Sequence, residues 1–183
     1  MTDPSLFSSS LFFERLKQAL GSDLLDFQED HGDSSIQIAK DRIAFVANIL
    51  KENPALCFEQ MMDLTCVDYL KQGRKPRFQM VYHFLSLSQK NRLRVKADLN
   101  EEDMSLPTIS HLWLAANWYE RECYDMLGVH FLGHPNLKRI LLYEGFEGHP
   151  LRKDYPILKE QPLLPLRKIE ERYDYMGYKQ PKP

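Results

Sequence analysis

Residues 120–156, ERECYDMLGVHFLGHPNLKRILLYEGFEGHPLRKDYP, bring acids, three histidines, a cysteine and two basic pairs into one run. Cys123, His130, His134 and His149 are metal-ligand types. They lack the tight spacing of a zinc motif, and the histidines of HFLGH sit in a Gly-Pro context rather than on one helix face. Glu120 and Glu122 suggest paired carboxylates for acid–base work, but residues two apart on a helix point about 200° apart. Cys123 falls on the apolar side of its segment, where a thiol is usually inert. No GxSxG, GxGxxG or GxxxxGKS pattern supplies a nucleophile or a phosphate cradle. A metal-dependent hydrolase built on His130, His134 and His149 is the enzyme alternative that these residue types leave open.

The same run writes Gly-His-Pro twice, at 133–135 and 148–150. Glycine admits positive φ, while proline fixes its own φ and pushes the preceding histidine toward an extended conformation, so each copy makes a stiff bend. Each bend delivers a leucine, Leu137 or Leu151, and a basic pair, Lys138-Arg139 or Arg152-Lys153. An apolar anchor flanked by polar contacts on a stiff chain suits an interface, because stiffness lowers the ordering entropy of association. His134 and His149 read as hydrogen-bonding turn residues. Glu120, Glu122 and Asp125 lie in the last two turns of a helix, where the macrodipole disfavours anions. Either they face water, or Arg121 and the two basic pairs neutralise them in an ion-pair network.

The elements that must position this run are legible upstream. Ser10 could cap a short helix to about residue 20 with Leu11, Phe12, Leu16, Ala19 and Leu20 on one face, stopped by Gly21. LLDFQED and SSIQIA flank a hairpin turn, DRIAFVANILKEN is a second amphipathic helix, and the stretch from Leu56 to Leu70 favours strand. RFQMVYHFLSL and NRLRVKADL read as paired strands, with Phe78, Met80, Tyr82 and Phe84 on one face and Leu93, Val95 and Ala97 on one face of the partner. A helix from about His111 to Leu127 follows, capped by Ser110, stopped by Gly128 and burying Leu112, Ala115, Ala116, Tyr119, Cys123, Met126 and Leu127.

This order predicts an α+β fold: a two-layer sandwich with a mainly antiparallel sheet and helices over 1–128, then an extended partner-docking segment and C-terminal tail over 129–183. The tail has at most one short helix near 166–174 and nothing of its own to fold upon.

The 183-residue chain is 43% apolar and 27% charged, the composition of a soluble globular protein. A net charge of −2 gives no overall pull toward nucleic acid, although Phe131, Tyr143, Phe146 and Tyr155 interleave with basic residues. The charge is uneven: 133–183 carries ten Lys/Arg against seven Asp/Glu. Three cysteines without a CxxC pair argue for a reducing compartment and against a disulfide framework. The N-terminus lacks the positive charge of a signal peptide, and no stretch reaches the roughly 18 apolar residues of a membrane span, so membrane contact is expected to be peripheral.

Residues 120–156 as a block closely resemble the signature of the 30 kDa-type (C-type) subunit family of proton-pumping NADH:quinone oxidoreductase, respiratory complex I, which is also related to a component of energy-converting hydrogenases. Glu120 to Asp125 match the family's ERExYD, the two bends match, and Leu151 to Pro156 match its closing LRKDYP. Tyr143 and Glu144 stand where many members have an Asp followed by an aromatic.

The resemblance implies a non-catalytic peripheral-arm scaffold with no cofactor of its own, in a complex that couples NADH-to-quinone electron transfer to proton translocation. FMN, iron–sulfur clusters and the quinone site would belong to other subunits. The partners it implies are chiefly the D-type and also the B-type and I-type subunits of complex I, at the cytoplasmic face of the bacterial plasma membrane, or the matrix side in a mitochondrion. The residues it assigns to partner contact are Glu120, Arg121, Asp125, His134, Leu137, Arg139, His149, Leu151, Arg152, Lys153 and Asp154. A homologous scaffold subunit of a membrane-bound hydrogenase or ferredoxin-dependent relative is compatible with the same residues.

Overall fold

The computed structural model describes residues 4–162. The short helix expected near 166–174 lies outside them.

A first helix, α1 (Pro4–Leu20), precedes a hairpin of β1 (Asp26–Asp30) and β2 (Asp33–Ile38), and α2 (Ile43–Glu52) then leads into β3 (Gln60–Asp68). Next come β4 (Phe78–Ser86), β5 (Asn91–Leu99), the three-residue β6 (Ser105–Pro107), α3 (Leu114–Leu127) and β7 (His130–Leu132). Five strands form one sheet in the order β1-β2-β5-β4-β3, antiparallel except where β2 runs parallel to β5. The expected mainly antiparallel α+β architecture is the one observed. The core lies between the helices and the sheet face carrying Phe78, Met80, Tyr82 and Phe84, joined by Leu93, Val95 and Ala97 from β5. Period-2 alternation therefore assigns both faces correctly.

Two sequence expectations, the start of the first helix and that of α3, are corrected, while the strand expected within Leu56–Leu70 is found as β3. The first helix begins at Pro4, not after Ser10, with proline as its first residue; Gly21, at φ +54°, does stop it, and Leu11 lies outside its buried face. In β3 a register shift between Met61 and Asp63 turns Met61 inward and leaves Met62 exposed.

The second correction concerns α3, which starts at Leu114 rather than His111. Trp113 is extended at its N-cap and no side chain caps it. The indole is drawn into the core, 4.9 Å from the Phe84 ring, with Nε1 donating to the Glu59 carbonyl at 3.1 Å. Residues 109–113 consequently make a turn, with the amides of Leu112 and Trp113 both donating to the Ile109 carbonyl. Ser110 is buried against Thr108 instead of capping. Ala115 is exposed, and Glu120 joins Ala116 and Cys123 on the buried side.

Sequence periodicity fails to find the parallel pair β6–β7, whose strands are too short to alternate. That pair carries Leu106 and Phe131 into the core, so the packed interior continues beyond Gly128.

Phe58 is fully buried between Phe12 of α1 and Phe84 of β4, with ring centroids at 6.3 and 6.4 Å. Phe58→Ala removes this bridge and is expected to cost about 3–5 kcal/mol. Urea unfolding of the full chain checks it, and a loss below about 1 kcal/mol would mean that the site collapses freely.

Candidate functional site

The 120–156 run wraps the C-terminal end of α3. A helix leaves its last four carbonyls without intrahelical partners, and here all four are met. The Tyr124 carbonyl accepts from Gly128 N–H at 3.0 Å and that of Met126 from Leu151 N–H at 3.1 Å. Leu127 accepts from Arg152 Nε at 2.7 Å. The Asp125 carbonyl accepts from His149 Nδ1 at 2.9 Å and Arg139 Nη1 at 3.3 Å. The second bend and its arginine thus form the helix cap, and both guanidinium groups sit at the negative end of the macrodipole.

Gly128 makes this possible. Its φ is +80°, and a Cβ there would lie 2.7 Å from both Arg152 Nη2 and His149 Nε2. Neither the conformation nor the space admits a side chain.

The Asp125 side chain is fully buried. Its Oδ2 accepts three consecutive backbone amides, Ile140 at 3.0, Leu141 at 2.8 and Leu142 at 2.9 Å, while Oδ1 accepts from Arg139 Nη1 at 2.7 Å. Such a backbone nest is an anion site, and the anion is the chain's own. Burial alone would push this carboxyl upward; the amides of Leu142, Leu141 and Ile140 together with Arg139 outweigh it and hold it below the ordinary aspartate range. Arg121 fixes the same loop from another side, donating to the carbonyls of Lys138 at 3.0 Å and Arg139 at 3.1 Å. Of the two readings of the helix acids, the network describes Asp125, whereas Glu122 faces water.

The closing LRKDYP is tied to the sheet. Arg77 grips Asp68 with Nε and Nη2 at 2.9 and 2.8 Å, and its Nη2 also donates to Asp154 at 2.8 Å. The Lys153 amide donates to Asp68 at 2.9 Å. The Arg77 guanidinium holds both carboxyls below their usual range. Arg152 adds a contact from Nη2 to Met104 Sδ at 3.1 Å.

Of the residues expected at a partner contact, Glu120, Arg121, Asp125, His134, Arg139, His149, Arg152 and Asp154 all have intramolecular partners. Leu137 packs partly buried against the core, and the Leu151 and Lys153 side chains are exposed. In each basic pair the arginine turns inward and the lysine stays out. His130 is exposed, and His134 and His149 each meet a separate backbone carbonyl. Among the described residues no group of three His, Cys, Asp or Glu could hold a metal ion. Sequence reasoning misses Thr108, Ile109, Asp68, Arg77 and Met104. They meet the run from 11 to 85 residues away, beyond any local pattern, although the polar TIS preceding an apolar helix is a usable sign for Thr108.

The family model described as the respiratory-chain NADH dehydrogenase 30 Kd subunit matches residues 36–161. The C-type subunit of the NADH-quinone oxidoreductase of Roseiflexus sp. (strain RS-1) is 45% identical over 148 residues, covering 81% of this chain and 84% of that one. Its counterpart from Citrifermentans bemidjiense is 45% identical over 143 residues, covering 78% and 86%. Among solved structures, the trypsin-resistant fragment (1–134) of Nqo5 superposes with a TM-score of 0.59 at 30% identity, covering 69% of this chain and 98% of the fragment. A chain of the archaeal membrane-bound sulfane sulfur reductase shares the fold at TM-score 0.66 and 23% identity, covering 82% and 86%.

Asp125→Ala strips the nest of its anion and leaves Arg139 without its carboxylate, at an expected cost of about 3–5 kcal/mol near neutral pH. Because the folded carboxyl titrates below its ordinary range, this contribution is present above the unfolded pKa and is lost as the pH falls through the folded one. Urea titrations should show parent and variant converging in acid; a constant gap would assign the effect to packing. Gly128→Ala should detach the second bend, seen as faster amide exchange at Leu151 and as a loss of more than about 1 kcal/mol.

Proposed function

The chain belongs to the 30 kDa subunit family of the respiratory-chain NADH dehydrogenase, and from that premise we propose that it is a non-catalytic scaffold which docks on a neighbouring subunit through the strip wrapped around α3. As a peripheral-arm subunit of NADH:quinone oxidoreductase it contributes to an oxidoreductase. FMN, iron–sulfur clusters, quinone and proton translocation belong, in this reading, to the other subunits.

One observation carries the docking role. The strip spends its arginines and its two bend histidines internally, yet exposes Leu141, Leu151, Ile157 and Leu158, the last two at 96% and 94%. Several large apolar side chains exposed on one otherwise satisfied segment point to an interaction surface. Lys138 and Lys153 are exposed on the same segment as outward charges. The internal bonds preorganise this surface, so association need not order it. The similarity to a relative whose fragment 1–134 resists trypsin supports a compact body followed by a docking segment.

The reading assigns the D-type subunit of complex I as the main neighbour, with the B-type and I-type subunits nearby, and puts the assembly on the cytoplasmic face of the bacterial membrane. No helix among the described residues is long and apolar enough to cross a membrane, which supports attachment through partners. Two relatives at 45% identity, both from NADH-quinone oxidoreductases, favour this complex over a hydrogenase-like one. Mass spectrometry of the co-purifying subunits separates the two.

Leu151→Asp with Lys153→Glu alters only exposed side chains, so the isolated chain should keep its unfolding midpoint while blue-native gels lose the assembled complex. Arg139→Ala should abolish assembly too, with a stability loss of about 3–5 kcal/mol in the isolated chain, and Arg152→Ala, which leaves the Leu127 carbonyl without its donor, should do so at a cost of about 1–3 kcal/mol. A fully assembled, active complex from the Leu151/Lys153 double variant would overturn the docking role.

A further inference from the structure

Two carboxyl groups of α3 are fully buried, and they are served unequally. Asp125 receives an arginine and three amides. Glu120 receives one amide, Ile109 N–H to Oε1 at 2.8 Å, and one hydroxyl, Thr108, at Oε2. Among the described residues no Lys or Arg lies within 4.0 Å of it; its one basic neighbour at that range is His134, whose Nε2 is 3.9 Å from Oε2 with both side chains buried. A buried carboxylate without a cation favours holding a proton.

The hydroxyls around it can report either state. Thr108 Oγ1 touches both Glu120 Oε2 and Ser110 Oγ, the latter at 2.9 Å, and accepts Ser110 N–H at 3.1 Å. One hydroxyl carries one hydrogen, so two complete arrangements exist. With Glu120 protonated, Oε2–H donates to Thr108, which donates to Ser110. With Glu120 ionised, Ser110 donates to Thr108, which donates to the carboxylate. His134 is fixed as well: Nδ1 accepts Asn136 N–H at 3.0 Å, so the neutral ring carries its hydrogen on Nε2, beside the Asn117 carbonyl at 3.3 Å.

The other titratable groups around the site come from three elements. Tyr82 of β4, Cys66 of β3 and Cys123 of α3 are all pushed upward by burial and remain neutral near pH 7. Burial holds His134 below its ordinary range, with Arg121 acting the same way. Burial raises Glu120 to about 7, against the opposing bonds from Thr108 and Ile109.

We propose that Glu120 is a proton-holding group whose charge sets the grip on the first Gly-His-Pro bend. Neutral, it leaves His134 on the Asn117 carbonyl. Ionised, it draws the Nε2–H of His134 toward Oε2 and tightens the bend. The proton leaves by a concerted shift: Oε2–H passes to Thr108, the Thr108 hydrogen to Ser110 and the Ser110 hydrogen to a water molecule, which converts one arrangement into the other with every atom accounted for. The whole fold bears the cost, since a carboxyl raised on folding gives stability that is present below about pH 4.5 and is lost as the pH rises through about 7.

The full chain tests this. Infrared spectroscopy should show a protonated-carboxyl C=O band at about pH 6 that fades by about pH 8 and is missing from Glu120→Gln. The urea midpoint of the parent should fall across that interval relative to that of Glu120→Gln, a difference in which the histidines common to both cancel. Amide exchange at Asn136, corrected for intrinsic rate, should slow with rising pH in the parent alone. Thr108→Val keeps the carboxyl but removes a bond that favours its charge, so the band should persist to higher pH; this keeps the test valid if Glu120→Gln does not fold. A parent without the band, or a band unaltered in Glu120→Gln, overturns the proposal, as does a Thr108→Val band that fades at lower pH.

Discussion

The end of α3 is an electrostatic problem that the rest of the chain is arranged to solve. Four carbonyls point out of the helix, and a buried aspartate adds a full negative charge at the end where the dipole is already negative. Left bare, each carbonyl would cost on the order of 1–3 kcal/mol, and the carboxylate more. Arg139, Arg152, His149 and the amides of residues 140–142 neutralise it. The run from Gly128 to Pro156 contains little regular secondary structure and is nevertheless fixed, because its polar groups answer to a helix.

That arrangement separates two tasks that look identical in the sequence. Arginine forks, planar and able to donate in several directions, go inward to carboxylate and carbonyl; the neighbouring lysines stay in water. Leucine has a similar division, with Leu137 against the core and Leu151 outside. On the proposed docking role, a partner meets a surface of lysines and aliphatic side chains whose shape is set by arginines it does not touch. For a scaffold the arrangement is economical in entropy, since the ordering is complete before association.

The sheet was legible because alternation is a local signal: Phe78 to Phe84 and Leu93 to Ala97 declare their faces within single strands. The stiffness of the two bends was equally local, residing in Gly-His-Pro itself, and the need to neutralise Asp125 followed from its place in the helix. What could not be read was the direction of those bonds. Arg139 and Arg152 could serve a partner or the chain's own helix with the same sequence, and the inward choice of Arg152 is supported by Met104 and by the long-range ties of the adjoining Lys153 and Asp154 to Asp68 and Arg77. The start of α3 was misplaced for a related reason. Ser110 has the chemistry of a cap, but the burial of Trp113 pulls the turn elsewhere.

The tie between Asp68, Arg77 and the closing LRKDYP makes the strip a contact of very high order. Lys153 and Asp154 reach residues 85 and 77 positions back, on opposite sides of a turn that exists once β3 and β4 have paired. Loop closure over such a span comes late in folding. On the proposed docking role, the surface offered to a neighbour is thus displayed by chains whose sheet is already closed. Assembly through that strip would inherit a form of proofreading, in which the docking surface certifies the fold that carries it.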